Sequence, residues 1–382
     1  MLFAEEELVV PEIRHPKNLW SDKILSQDRV LQLLHKVVKE GNFPHCSLIS
    51  GPAGSGQLLI GLHLAQMLLC KDENKPCGTC QSCYKVSHMI HPDLNYSFPT
   101  IGAGAVCVDF YQDFRNSVIK NPYLNVQNWL KDSDAENKQA NITAAEAKSI
   151  IERMAFKPFE SDCSVMLIWL PEYLGKESNI LLKLLEEPPG NSYLILLSED
   201  SKALLSTVKS RTQEYQLGPV EEKYLTEFLM DKYKLAKPKA EEYALASGGN
   251  VSMCLNWIEE EGIKHMELIQ QMFKAAYVKD PLGYMAWIEK ITALNRDEIK
   301  QFFSFLNTLL DLCLRLPYSP TAISGNELIS YASKISTQLN PDSIEKIVYL
   351  LDESSFAIQR NANIRILLLD FLIKLSTYLR RG

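Results

Sequence analysis

The apolar positions of the N-terminal half fall into two spacings that alternate along the chain. Residues 45–50 form a short continuous run of strand length, and residues 58–69 repeat at helical spacing behind the glycine-rich turn Gly51 to Gly56. Runs at 164–170, 193–197 and 212–217 read as further strands, with helical stretches at 178–186 and 204–208 between them. Ahead of the first strand, Trp20, Ile24, Val30, Leu31, Leu34, Val37 and Val38 carry helical spacing over 20–42, which Gly41 and Pro44 end. Thr143 followed by Glu146 reads as a capping box that opens an amphipathic helix through Ala147, Ile150, Ile151 and Met154. Residues 91–99 look extended, and 100–138, broken by Gly, Asn and Pro, reads as an insertion. Strands alternating with helices predict an α/β domain whose parallel sheet is covered on both faces.

From Pro219 onward the strand-like runs vanish and helical spacing takes over. Breaks near Gly248-Gly249 and Ile263 divide this part, giving an α/β domain at 1–217, a small helical segment at 218–262 and a C-terminal bundle at 263–382. Apolar spacing over 302–314 and 344–351 is that of a bundle core. A length of 382 residues suits two or three domains, and 46% hydrophobic with 23% charged residues describes ordinary folded protein. With 40 basic against 47 acidic residues, the net charge of -7 argues against autonomous tight binding to nucleic acid. No apolar stretch approaches membrane-spanning length, and Met1 to Glu7 carries three consecutive acids where a signal peptide would be basic, so the cytoplasm is expected.

Candidate chemistry begins at Gly51-Pro52-Ala53-Gly54-Ser55-Gly56-Gln57-Leu58. Its spacing is that of a phosphate-binding loop, G-x-x-x-x-G-K-[ST], with Gln57 in the lysine position and Leu58 in the hydroxyl position. A working loop uses main-chain N–H groups to cradle phosphate, the lysine to neutralise it and the hydroxyl to hold Mg²⁺. Only the main-chain part, from Gly51, Gly54 and Gly56, is available here, so ATP or ADP would lack several kcal/mol of charge-assisted binding, on the order of 1.5–3 for each lost contact. The alternative is a tight strand-to-helix turn that never meets phosphate. A second motif, an acidic pair at the next strand end, should hold Mg²⁺ and orient water. That strand instead runs into Pro171, with Glu172 the nearby acid.

Nine cysteines are scattered except for Cys70, Cys77, Cys80 and Cys83, spaced C-x6-C-x2-C-x2-C. Four thiolates at short spacing suit a closed, structural Zn²⁺ site, and Lys71, Lys75 and Lys85 stand near enough in sequence to offset its charge. The rivals are a redox C-x-x-C pair, which needs only two of the four, and a catalytic zinc, which needs an open position. His88 and His91 are further ligand candidates, and Cys46, Cys107, Cys163, Cys254 and Cys313 read as small core residues.

The segment Pro44 to Gly51, the His91-Pro92-Asp93-Leu94 stretch after the cysteines, the run Asn179 to Pro189 and Ser210-Arg211-Thr212 together resemble the bacterial DNA polymerase III clamp-loader subunits. They occur in that family's order across 20–217. The resemblance implies an AAA+ (P-loop NTPase-like) module with an inserted zinc module, a helical lid at 218–262 and an all-α collar at 263–382 that holds a ring. The departures at Gln57, Leu58 and Pro171 fall on the side of the delta-prime type, which has lost part of the ATPase chemistry. The family reading makes Arg211 an arginine finger aimed at ATP in a neighbouring subunit, and places Ser198 at the first sensor position; without it, Arg211 reads as pairing with a nearby acid or capping a helix. The resemblance also implies partners: gamma/tau-type ATPase subunits, a delta subunit, and the sliding clamp and primed DNA through the complex. Two other functions remain open at this point, an active gamma/tau-like ATPase using unusual residues and a zinc-containing nucleic-acid-binding module.

Overall fold

The computed structural model describes residues 15–133, 140–259, 265–294, 296–316, 327–359 and 362–379. The acidic N-terminus, the break near Ile263 and the end of the insertion at 134–138 lie outside them. The chain forms two compact units, one ending at Pro219 and the other beginning at Val220.

In the first unit, β1 (Cys46–Ser50), β2 (Leu94–Ser97), β3 (Ser164–Trp169), β4 (Ser192–Ser198) and β5 (Gln213–Gln216) make one sheet in the order β2-β3-β4-β1-β5. Every pairing is parallel. Every residue of β1 and β3 is buried, which is why those stretches read as continuous apolar runs with no alternation. Helices cover the sheet: α1 (Asp28–Lys39), α2 (Gln57–Leu69), α3 (Gln81–Ser87), α4 (Tyr111–Lys120), α5 (Val126–Asp132), α6 (Ala144–Met154), α7 (Leu182–Glu186) and α8 (Ser206–Lys209). Helix α2 is enclosed on nearly all sides, by β1, β3 and β4 and by α1, α3 and the turn at Trp20. A helix enclosed in this way is apolar on every face, as its sequence mostly is, and its buried polar residues Gln57 and Gln66 are hydrogen-bonded.

Three local expectations change. The helix expected over 20–42 is a 3₁₀ turn at Trp20–Lys23 and then α1, separated by Ser26 in the left-handed region at φ 57°. Trp20 is spent on packing and hydrogen bonds, its main-chain N–H to Gln66 Oε1 at 3.2 Å and its indole to Val86 O at 3.3 Å. The helix expected over 178–186 begins as 3₁₀ turns over Pro171–Leu181, kinked at Gly175, and becomes α7. Thr143 caps α6, accepting from the Glu146 N–H at 3.1 Å, but the buried Glu146 carboxylate does not complete the box. It accepts instead from the Cys107 N–H at 2.8 Å and from Arg153 at 2.5 Å, tying the insertion to α6.

The insertion packs an aromatic cluster onto the sheet, through Phe98 after β2 and Trp169 of β3. Phe98 stacks on Phe114 with centroids 3.9 Å apart, and Trp129 meets both edge-on, its indole donating to Pro99 O at 2.7 Å. The second unit contains, among its described residues, only helices: α9 (Glu222–Tyr233), α10 (Lys237–Ala246), α11 (Val251–Glu259), α12 (His265–Val278), α13 (Pro281–Thr292), α14 (Arg296–Arg315), α15 (Glu327–Ser336), α16 (Pro341–Gln359) and α17 (Ile364–Tyr378). None of the helices is long and apolar enough to cross a membrane, among the described residues.

Candidate functional site

The parallel register brings the C-terminal ends of β1, β3 and β4 to one edge of the sheet, where open α/β sheets bind their ligands. Ser50 pairs with Ser198 and Trp169 with Leu197, so the glycine loop, the end of β3 and Ser198 are neighbours. The Gly51 N–H donates to Ser198 O at 3.2 Å. Gly54 and Gly56 adopt φ of 75° and 92°, a region that side-chain-bearing residues rarely enter. Gly51 is required for a different reason: a Cβ there would lie 2.7 Å from the Leu217 Cβ.

Gln57 turns back into the loop. Its amide nitrogen donates to Gly51 O at 2.7 Å and Pro52 O at 2.9 Å, with a longer approach of 3.5 Å to Ser198 O. The side chain in the lysine position therefore spends its donors on loop carbonyls, and Leu58 beside it is buried.

At the end of β3 the chain leaves through Trp169, Leu170 in the left-handed region (φ 56°) and Pro171. Glu172 follows, half-buried as a residue but with its carboxyl group closed to water. One oxygen accepts from the Glu199 and Asp200 N–H groups at 3.0 and 3.3 Å; the other is buried without a partner. Burial is the largest cause of a pKa raised to about 7, partly countered by those hydrogen bonds. Ser198 is fully buried and its hydroxyl accepts from the Asp200 N–H at 3.2 Å.

The four cysteines come together at the C-terminal end of α2 and the start of α3. Their sulfurs lie within 4.8 Å of one another, with separations of 3.7 Å (Cys70–Cys77), 3.9 Å (Cys70–Cys80) and 3.9 Å (Cys77–Cys83). Tetrahedral Zn²⁺ with bonds of about 2.3 Å needs sulfur–sulfur edges of about 3.8 Å, so the donor set fits the ion. Main-chain N–H groups already face the sulfurs, Cys80 N to Cys77 Sγ at 3.3 Å and Cys83 N to Cys80 Sγ at 3.4 Å. The Cys83 thiol first, and the Cys77 donors after it, hold Cys70 down to about 5, while the bond to Cys70 and then burial raise Cys83, and burial raises Cys80, so a metal would have to displace the protons of those two thiols.

His88 and His91 are not part of this cluster. His91 is buried and accepts from the Asp93 N–H through Nδ1 at 3.1 Å, which leaves the proton of the neutral ring on Nε2, facing Ser82, Ser161 and Glu160. Lys85, expected to offset the cysteine charge, is paired with Glu160 at 2.5 Å. The Asp93 carboxylate accepts from the N–H groups of Phe159, Glu160 and Ser161, fixing the segment between α6 and β3. The His-Pro-Asp motif thus has a structural task. The segment it fixes carries Phe156 and Phe159 in solvent, 74% and 84% exposed. Cys46, Cys107, Cys163, Cys254 and Cys313 are buried, as core residues should be.

Arg211, after α8, donates through Nε and Nη2 to Glu186 Oε1 at 2.6 and 2.5 Å and through Nη1 to Thr207 O at 2.9 Å. Glu186 is the first acid of the Glu186-Glu187-Pro188-Pro189 turn that ends α7. Two features escaped the sequence reading. Glu172 was noted there only as a nearby acid, because nothing local tells which carboxyls a fold will bury. The exposed phenylalanines, in Phe156-Lys157-Pro158-Phe159-Glu160, follow no helical or strand spacing and carried no signal.

The family model described as DNA polymerase III, delta subunit matches residues 26–221, just over half of the chain. The DNA polymerase III subunit delta' of Escherichia coli K12 is 22% identical over 350 residues, covering 90% of this chain and 92% of that protein. That of Haemophilus influenzae is 24% identical over 353 residues, covering 91% and 96%. Among solved structures, a DNA polymerase III gamma subunit-related protein from Thermotoga maritima covers 92% of this chain and 99% of its own, at 13% identity and a TM-score of 0.36.

Proposed function

The chain belongs to the DNA polymerase III delta subunit family, alongside its delta-prime members, and from that premise we propose that it is a clamp-loader subunit that does not hydrolyse ATP and serves a neighbour's active site. Its α/β unit is the AAA+ module at 1–217, followed by a lid at 218–262 and a collar at 263–382 that holds it in a ring with gamma/tau-type and delta subunits. Through that complex it takes part in loading the sliding clamp on primed DNA.

The observation that carries the reading is the position of Gln57. A lysine there would carry a full charge to the phosphates; an amide folded onto Gly51 O and Pro52 O offers them nothing. Trp169, Leu170 and Pro171 at the end of β3 supply no Mg²⁺ ligand, and the buried Glu172 is turned to main-chain N–H groups. Cys70, Cys77, Cys80 and Cys83 hold a structural zinc, which cross-links α2 to α3 and closes its own coordination shell to substrate.

Arg211 is the chemical contribution to the neighbour. Its guanidinium is about one-third exposed and held by Glu186, so engaging a phosphate in the next subunit exchanges one anionic partner for another. A finger supplied in this way contributes on the order of 10³ to 10⁵ in rate. Purified alone, the chain should show no ATP turnover, and adding it to cognate gamma/tau-type subunits should raise theirs. In the Arg211→Ala variant the assembly should survive, judged by size-exclusion chromatography, while the stimulated hydrolysis falls by at least a hundredfold. Normal stimulation by that variant would remove Arg211 from the mechanism; turnover by the isolated chain that disappears on Gly56 substitution would show an active ATPase instead.

A further inference from the structure

We infer that Tyr123 is a built-in occupant of the glycine loop, standing where the base of a nucleotide would be read. This rests on the reading of Gly51 to Leu58 as a vestigial nucleotide loop and says what now fills it.

The turn between α4 and α5 reaches back from the insertion to the loop. A Cβ placed on Gly56 would lie 3.4 Å from Tyr123 Cε1 and 3.8 Å from its hydroxyl, with Leu59 Cδ1 next at 3.9 Å. The phenol therefore covers the loop at the residue that leads into α2. Tyr123 is 5% exposed, and burial pushes its hydroxyl well up, so it stays protonated. That hydroxyl donates to Lys23 O at 3.1 Å and accepts from the Leu25 N–H at 3.0 Å.

The pair of main-chain groups is the informative part. A carbonyl and an N–H two residues apart, where the 3₁₀ turn at Trp20–Lys23 runs out through the extended Ile24, complement a ligand edge with one donor beside one acceptor. Adenine has such an edge in its N6 amino group and N1, and a single phenolic hydroxyl satisfies the same two groups. The turn is built to present it: Asn121 Oδ1 accepts from the Tyr123 N–H at 3.0 Å, and Asn125 caps α5 by accepting from the Asn128 N–H at 2.8 Å. Gln57 fills the lysine position and Tyr123 the base position, so the chain closes its loop from both sides with its own atoms. The insertion is then what orders the segment Lys23–Leu25 and the loop together, a task a nucleotide performs in a site that is open.

Adenosine, which has no phosphate, probes the base position independently of the loop. Thermal unfolding is followed with adenosine and with Mg-ADP for the full chain, Tyr123→Gly and Tyr123→Phe. The full chain and Tyr123→Phe should show no shift, because the ring stays in place. Tyr123→Gly should unfold at a lower temperature and regain several degrees with adenosine at about tenfold its dissociation constant. Because ligand rescue is read as a shift, a weakened Tyr123→Gly protein still reports. Adding Gln57→Lys to Tyr123→Gly tests the loop: tighter binding of Mg-ADP than of adenosine supports the phosphate reading, and equal binding removes that reading while leaving Tyr123 as the occupant of a base-sized site. Binding of either ligand by the full chain with no loss in Tyr123→Phe, or no adenosine shift in Tyr123→Gly, overturns the inference.

Discussion

Glu172 is a carboxyl group closed to water whose second oxygen has no partner, so its protonation and the stability of the fold are linked. In the unfolded chain it titrates near its ordinary value of 4.5, and in the fold near 7. Below the lower value both states are protonated and Glu172 costs nothing. As pH rises between the two, the unfolded chain loses its proton first, so stability falls, and the full cost is reached above the folded value. The Glu172→Gln protein should therefore match the wild type at pH 4 and exceed it by on the order of 3 kcal/mol at pH 8.5, in urea unfolding. Parallel pH profiles for the two would show that the carboxyl is solvated. Glu186 makes the opposite case. Its pair with Arg211 is at the surface, with side chains 32% and 49% exposed, so Glu186→Gln should change stability by less than about 0.5 kcal/mol. On the proposed role of Arg211, its effect should be read in the stimulated ATPase of the assembled complex, where freeing the guanidinium should alter the rate.

At the scale of elements, the four-cysteine cluster is the most strongly specified part of the sequence, since four cysteines within fourteen residues leave few other chemistries, and their sulfurs do converge. Gln66 carries its effect inward: this buried side chain donates to Cys83 O at 3.2 Å and Asn18 O at 2.8 Å and accepts from Trp20. The chain should contain one zinc by elemental analysis. Cys80→Ser should lose it and lower the melting temperature, with faster hydrogen exchange at Trp20 and along α3 before the sheet; a chain that melts unchanged without metal would make the cluster dispensable. Strands β1, β3 and β4 were equally legible, because burial writes a continuous apolar run. The insertion was not, because its order comes from contacts such as Glu146 with Cys107, 39 positions apart, and Tyr123 with Lys23, 100 positions apart. The 20–42 stretch misled for a related reason: apolar spacing that continued a helix was satisfied by Trp20 packing sideways onto α2 and α3. Asp93 shows the same limit at a motif that was recognised. Its spelling was visible, and its work, holding three N–H groups some 66 residues away, was not.

For the whole molecule, charge sets what it can do alone. A net charge of -7 leaves little to release from a phosphate backbone, so the isolated chain should bind primed DNA no tighter than roughly 10⁻⁵ M at 50 mM salt, with a shallow salt dependence in fluorescence anisotropy. Tight, steeply salt-dependent binding by the monomer would favour an independent nucleic-acid module. The glycine loop bears on how such a chain is recognised at all. Gly51 is confined by the Leu217 side chain, Gly61 by Leu197 at 2.7 Å, and Gly54 and Gly56 by their backbone angles. None of these constraints involves a phosphate. A search for nucleotide-binding sequences will therefore find this loop whether or not it holds a nucleotide, because the glycines that spell the motif are also what let the chain pass the end of β5 at Gly51 and turn from β1 into α2.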